Sequence, residues 1–295
     1  MIFRFIKEGL RSAGQESVRP GVFSVPAARV RNLLLGAVAV FFMLDILYLY
    51  LRFGRGQEKG LSRQLYDFFS LRQEFTLPAL FSALLLLLAG ALLYVVAETR
   101  PAGSSRRRPW KFLSGIFLLL CLDEAFSVHE KLSAPVNRWL TGDVYGLLRF
   151  SWVVPYSVLL LGLGLYYFRF LQRLPKRTRY AFYISGALYV SGSLGLELVE
   201  GYAFTEGQEL LFMVLGTVEE TMEMTGIILF LSALMHYLSP ATGTLVLSSA
   251  DGWQETAAPG LPLNKITSQQ TALPCTNNPI EDADQCPSTY EKRRF

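Results

Sequence analysis

Apolar residues cluster in long runs that short polar stretches separate. Six of these runs are each close to the twenty residues that an α-helix needs to cross about 30 Å of hydrocarbon. They cover residues 30–51, 75–97, 109–129, 149–171, 179–199 and 209–238. The third and sixth runs are interrupted by acidic residues. The pattern predicts an all-α fold, a polytopic transmembrane helical bundle of about six spans.

Composition supports this class of protein. The chain has 295 residues, of which 51% are hydrophobic and 18% are charged, so it is too apolar for an ordinary soluble protein of this length. The residues before the first run show no pattern of a cleaved signal peptide. We therefore expect a cytoplasmic N-terminal segment over 1–29 and a six-helix transmembrane domain over 30–238. The polar, aperiodic composition of 239–295 predicts a disordered cytoplasmic tail.

Basic residues predict the orientation of the chain. Most of the 28 Lys and Arg residues lie before the first run, after the second, after the fourth, or in the tail. Because cytoplasmic loops carry the excess of positive charge, we expect both termini in the cytoplasm and a location in the cell inner membrane. The net charge of +4 reflects this rule. No soluble basic domain is present to bind nucleic acid, so the expected partner is the lipid bilayer, and a membrane-protein partner is left open.

Two segments outside the spans carry local patterns. The predicted outer loop, 52–74, has apolar residues near helical spacing, which indicates a short helix lying in the membrane interface. In the tail, the spacing of Cys275 and Cys286 matches no zinc motif, and on the cytoplasmic side both should be free thiols.

The chemistry of the chain is concentrated in acidic residues within the apolar runs. Counted at 1.5 Å per residue from the predicted cytoplasmic ends, the acids of four helices lie roughly 21–28 Å along their helices, in the outer half of the bilayer. A charged side chain is costly in lipid, so these acids are expected to face one another inside the bundle. The candidate cation or proton site comprises Asp45, Asp123, Glu124, His129, Glu130, Glu197, Glu219, Glu220 and Glu223.

Spacing along the helices supports a shared site. Glu219 and Glu223 are four residues apart and lie on one face of a helix, together with Gly216 and Gly226, which would let a neighbouring helix approach closely. Asp123, Ser127 and Glu130 likewise share a face of the third run. We expect the carboxyl groups of Asp123, of Glu219 or Glu220, and of Glu223 to lie roughly 4–6 Å apart.

The remaining acids near this level receive a different prediction. Glu200 and Glu206 lie in the loop after the fifth run, and Glu209 is the first residue of the sixth run. They are expected to be solvated loop charges.

A site of carboxylates and one imidazole is rich in hard oxygen ligands. Such a site suits Mn, Fe(II), Ca or Mg better than structural zinc, which prefers Cys and His. Shared or bound protons would neutralise the same carboxylates. The expected cofactor is therefore a divalent cation, with protons as the alternative, and no organic cofactor is indicated. Diiron carboxylate proteins use Glu-x-x-His repeats, which this chain lacks.

Three motifs carry a resemblance to a family. "LCLDEAFSVHEKL", "GLELVEGY" and "TVEETMEMTGIILFLSALMHYL" resemble sequences of an uncharacterised family of bacterial six-span membrane proteins, over residues 30–238. The resemblance implies the same assignment of spans. Since no activity is established for that family, it implies no mechanism.

Three classes of function agree with these patterns. The first is transport-linked binding of a cation or of protons, with which the glycine-rich fifth run "ISGALYVSGSLG" agrees. The second is a carboxylate-based membrane metalloenzyme, for which no catalytic residue can be named. The third is a structural or assembly subunit of a larger membrane complex. The chain carries no motif that decides whether it is an enzyme.

Overall fold

The computed structural model describes residues 23–57, 59–101, 104, 106–139, 146–238 and 244–247. Nine α-helices form in this part of the chain. They are α1 (Ala27–Leu49), α2 (Leu61–Phe69), α3 (Leu77–Glu98), α4 (Arg107–Phe126), α5 (Val128–Trp139), α6 (Val153–Gln172), α7 (Lys176–Val190), α8 (Glu197–Thr205) and α9 (Glu209–Leu238). Two short strands, β1 (Phe23–Pro26) and β2 (Thr244–Leu247), pair antiparallel.

The predicted helical class is confirmed. Five helical segments are long and apolar enough to cross a membrane, and the bent pair α4–α5 makes up to six if it is counted as one broken span. The predicted runs agree closely with α3 and α9, whereas the fifth run extends to a continuous segment, Lys176–Thr205. Within 239–295 the structure describes the strand Thr244–Leu247, and the rest of the predicted tail, with Cys275 and Cys286, lies outside the described residues.

Local sequence explains several helix boundaries. Helix α3 begins after Thr76, whose hydroxyl accepts a hydrogen bond from the backbone N–H of Ala79, and Pro78 is tolerated in this first turn. Helix α7 passes into α8 through a π-helical turn, Ser191–Leu196, which contains two glycines. Such turns occur often at functional sites. This one immediately precedes Glu197.

Helix α9 is the centre of the bundle. It contacts α1, α3, α7 and α8 as well as the π-helical turn. Its apolar residues Ile228, Leu231 and Leu234 are almost completely buried, and they pack in one core with Leu86 and Leu93 of α3. Because α9 is surrounded by other helices, its acids Glu219, Glu220 and Glu223 are kept away from lipid.

Glycine allows α7 to approach α9, as predicted. A Cβ atom at Gly226 would lie 2.9 Å from both the carbonyl oxygen of Ser185 and the backbone nitrogen of Tyr189. Gly216 has a different neighbour from the predicted helix. Its open side is covered by the side chain of Arg72, whose Cδ would lie 2.5 Å from an added Cβ.

The predicted short helix in 52–74 is confirmed as α2. It is followed by the segment Ser70–Thr76, which enters the bundle with Leu71 and Ser70 almost fully buried. The hydroxyl of Thr76 donates to the carbonyl oxygen of Ser70 at 3.0 Å and closes this segment. The loop therefore reaches the level of the acidic residues.

Candidate functional site

Three carboxylates from two helices meet beside the π-helical turn. Glu197 and Glu200 are three residues apart on α8, and Glu219 faces them from α9; one oxygen of each lies within 4.8 Å of the others. We call these three residues the carboxylate triad. Among the described residues, it is the one group of three Asp, Glu, Cys or His side chains that comes this close.

Glu200 corrects the sequence-based prediction. It was expected to be a solvated loop charge, yet it is 5% exposed. Its Oε1 atom is buried and has no hydrogen-bond partner. The π-helical turn before α8 explains the difference, because it continues the helical segment beyond the predicted end and turns Glu200 towards α9. Glu206 and Glu209 are exposed, as predicted.

The triad is connected to its surroundings through both flanking carboxylates. Glu197 accepts a hydrogen bond of 3.0 Å from the indole Nε1 of Trp152. Glu219 lies within hydrogen-bonding reach of both Glu197 and Glu200. A hydrogen bond between two carboxyl groups requires one proton, so the arrangement suits either a proton or a cation between these oxygens.

A second polar group lies on the other side of Trp152. The ring of His129 packs against the indole, with 4.7 Å between ring centroids. Its Nδ1 atom is 3.3 Å from Oδ2 of Asp123, and its backbone N–H donates to Oδ1 of Asp123 at 2.8 Å. Asp123 is thus engaged by one residue through both of its oxygens, and Trp152 separates this pair from the triad.

A helix break creates this second group. The prediction that Asp123, Ser127 and Glu130 share one helical face is wrong. Ser127 has a positive φ of 47°, which ends α4, and α5 departs at 84°. Asp123 then caps the start of α5 by accepting from the backbone of His129. Glu130 is exposed and points towards Glu74, away from the triad.

Three further acids lie between the two groups. Glu223 is 9% exposed, lies within reach of the Tyr189 hydroxyl and is a close electrostatic neighbour of Glu124 and Glu197. Among the charged groups around Glu220, Glu124 and Glu223 interact with it most strongly. Gly192 of the π-helical turn makes this approach possible, because an added Cβ would lie 3.3 Å from Cγ of Glu223 and 3.1 Å from the carbonyl oxygen of Glu219.

Asp45 stands apart from the triad. It is 2% exposed and accepts hydrogen bonds from the hydroxyl of Thr217 at 2.6 Å and from the backbone N–H of Leu71 at 3.4 Å. These bonds tie α1 to α9 and to the inserted loop, so its contacts are those of a structural acid. The expectation that Asp45 belongs to the shared site gains no support from this geometry.

Arg72 is the residue that sequence reasoning missed. Its side chain crosses Gly216, and its guanidinium carbon lies 4.7 Å above the ring of Phe212. Both Asp45 and Glu200 attract its charge. No arginine lies deep in a predicted span. Arg72 belongs to the predicted outer loop 52–74, and its position inside the bundle therefore could not be recognised from the spans. Gly216, one turn before Glu219, was the available signal.

The closest group of three among the described residues differs from the expected set of Asp123, Glu219 or Glu220, and Glu223. The triad is drawn from Glu197, Glu200 and Glu219. Glu124, Glu220 and Glu223 connect it to the Asp123–His129 pair at longer range.

Comparison with known proteins identifies the family of the chain. No curated protein and no solved structure matches the chain. Residues 32–238 match the model of a family described as a domain of unknown function, DUF8692, and they include every helix from α2 to α9 and most of α1. The matched range also contains the whole acidic cluster. The chain therefore belongs to the DUF8692 family.

Proposed function

We propose that this membrane protein binds a hard divalent cation at the carboxylate triad, and that this binding is linked to the movement of cations or protons through the bilayer. Mn²⁺, Fe²⁺, Ca²⁺ and Mg²⁺ all accept carboxylate oxygens. Oxygens that all lie within 4.8 Å of one another are close enough to bind one Ca²⁺ ion, whose oxygen ligands lie at about 2.3–2.6 Å.

The observation that carries the proposal is the buried Oε1 atom of Glu200, which receives no hydrogen bond from a protein donor although Glu219 lies within reach of the same carboxyl group. Buried carboxylate oxygens are rarely left without a partner, because an unmade hydrogen bond costs about 1–3 kcal/mol or more for a charged group. A cation held by the triad supplies the missing partner. The backbone beside the triad is also closely packed, because Gly192 lets the π-helical turn approach α9.

Coulomb's law gives the size of the repulsion among the three carboxylates. Two unit charges at most 4.8 Å apart repel by about 3.5 kcal/mol or more at an effective dielectric constant of 20, so three ionised carboxylates repel by about 10 kcal/mol or more in total. Arg72 offsets part of this for Glu200. A divalent cation, or protons taken up by two of the three groups, would remove the rest.

The test measures bound cation directly. The full chain, purified in detergent, is dialysed against Mn²⁺, Fe²⁺, Ca²⁺ or Mg²⁺ and its bound metal is determined by elemental analysis and titration calorimetry. One equivalent of at least one cation is expected. Glu200→Gln and Glu219→Gln keep the shape of the site but remove a charged ligand, and each should weaken binding by tenfold or more, about 1.4 kcal/mol.

The matched control is Glu206→Gln, an exposed acid of the same loop region that should leave binding unchanged. Cation binding that is equal in the native chain, in both triad variants and in the control would contradict the proposal. If no metal binds but the chain takes up protons, measured as a pH change on mixing, the cation proposal is wrong and protons are bound at the same residues instead.

A further inference from the structure

A groove opens on the surface of the helix bundle between α4 and α6. Its volume is about 540 Å³, and it is lined by Phe112, Val158, Leu159, Gly162, Leu163 and Tyr166. Apart from the tyrosine hydroxyl, these side chains are apolar. None of the acids of the candidate site takes part in this lining, so the groove is independent of the proposed function.

The two helices are held together at one end of the groove. The hydroxyl of Tyr167 donates to the carbonyl oxygen of Pro109 at 2.9 Å, and the rings of Phe112 and Tyr167 stack with centroids 6.2 Å apart. On α6 the lining residues Leu159, Gly162 and Tyr166 follow one helical face. The groove therefore extends along α6 for about 12 Å, from Val158 to Tyr166.

Three arginines lie beyond this end of the groove. Arg108 precedes Phe112 by one turn on α4, Arg169 follows Tyr166 by three residues on α6, and Arg173 follows it by seven residues, directly after the end of α6. Along the helix axis Arg169 and Arg173 lie about 4.5 and 10 Å beyond Tyr166. All three arginine side chains are exposed.

These arginines differ from the other basic residues nearby. Arg107 and Lys111 form ion pairs with Glu98, the latter at 2.9 Å, and Arg100 donates to the hydroxyl of Tyr237 at 2.5 Å. By contrast, no carboxylate in the described ranges forms an ion pair with any of the three groove arginines, Arg108, Arg169 and Arg173.

We propose that the α4–α6 groove binds an anionic phospholipid. One acyl chain lies along the apolar lining, and the phosphate and the negatively charged headgroup are bound by the three groove arginines. The apolar part of the groove is followed by the three arginines, and in a phospholipid the acyl chain is likewise followed by the charged headgroup. Basic pockets between transmembrane helices are a known means of holding such lipids. Arginine suits phosphate because its guanidinium donates two parallel hydrogen bonds.

The experiment counts lipids bound to the full chain in detergent by native mass spectrometry. The probes are phosphatidylglycerol and phosphatidylcholine with identical acyl chains. We expect the native chain to retain phosphatidylglycerol in preference. Arg169→Gln combined with Arg173→Gln should reduce retention of phosphatidylglycerol about tenfold without changing that of phosphatidylcholine. The control pair, Arg55→Gln with Arg63→Gln, removes two charges elsewhere and should have no effect.

Glycine variants test the apolar part of the groove separately. Gly162 lines the groove, and Gly164 lies on another side of the same helix; an added Cβ meets no atom within 4 Å at either position, so both variants should fold. Gly162→Leu fills the groove and should lose phosphatidylglycerol, whereas Gly164→Leu should keep it. Equal retention of the two lipids by the native chain, or equal behaviour of the two leucine variants, would overturn the proposal.

Discussion

The contact between α7 and α9 at Gly226 gives a prediction that can be worked out from distances. Replacing Gly226 by alanine places a methyl group 2.9 Å from the carbonyl oxygen of Ser185 and 2.9 Å from the backbone nitrogen of Tyr189. Both atoms belong to backbone, so no side chain can rotate away to relieve the contact. The two helices must separate, and overpacking of this kind costs about 1–3 kcal/mol.

A second glycine provides the matched control. Gly186 lies on α7 itself, and an added Cβ there meets no atom within 4 Å. Both substitutions gain the same intrinsic helix propensity, about 1 kcal/mol for alanine over glycine. That gain cancels in the comparison. Gly226→Ala should therefore be less stable than Gly186→Ala by about 1–3 kcal/mol.

The assay is unfolding in mixed micelles, with the fraction of denaturing detergent increased stepwise and tryptophan fluorescence recorded. Because α7 leads through the π-helical turn to Glu197 and Glu200, separation of the helices should also weaken cation binding at the triad in Gly226→Ala and leave it intact in Gly186→Ala. Equal stability of the two variants would refute the reasoning. It would mean that the helices adjust to the methyl group without loss of packing.

Two other predictions concern charge and orientation. Arg72→Gln removes a positive charge beside Glu200 and should tighten cation binding at the triad by threefold or more, whereas Arg72→Lys should remain near the native affinity; weaker binding in the Gln variant would contradict this role. For orientation, an impermeant maleimide should label Gln57→Cys in intact cells but not Cys275, each as the single cysteine of the chain. Labelling of Cys275 would refute the cytoplasmic position of the C-terminal tail.

Much of the fold could be predicted from the order of apolar and polar residues. The run 209–238 coincides with α9, and 75–97 nearly coincides with α3. The prediction succeeds because a helix in lipid must satisfy all its backbone hydrogen bonds internally and present apolar side chains over the full thickness of the bilayer. That requirement acts on each segment separately, so it can be recognised without knowledge of the neighbours.

The pattern of apolar residues did not predict the helix break after Phe126. Residues 109–129 are apolar enough to be interpreted as one helix, and no proline or glycine marks the point at which α4 stops. Ser127 adopts a left-handed conformation there, and Asp123 bonds to His129 across the turn. The break depends on hydrogen bonds and contacts, such as the packing of His129 on Trp152, which helical periodicity does not represent.

A buried cluster of acidic residues was predicted, but which of these residues are nearest neighbours was decided by tertiary structure. The sequence by itself determined that acids of several helices would meet inside the bundle, because exposure to lipid is too costly. Tertiary structure decided that Glu200 joins Glu197 and Glu219, through the π-helical turn, and that Arg72 reaches them from a loop. These choices depend on how helices cross and where a loop inserts, and such contacts join residues far apart in the chain.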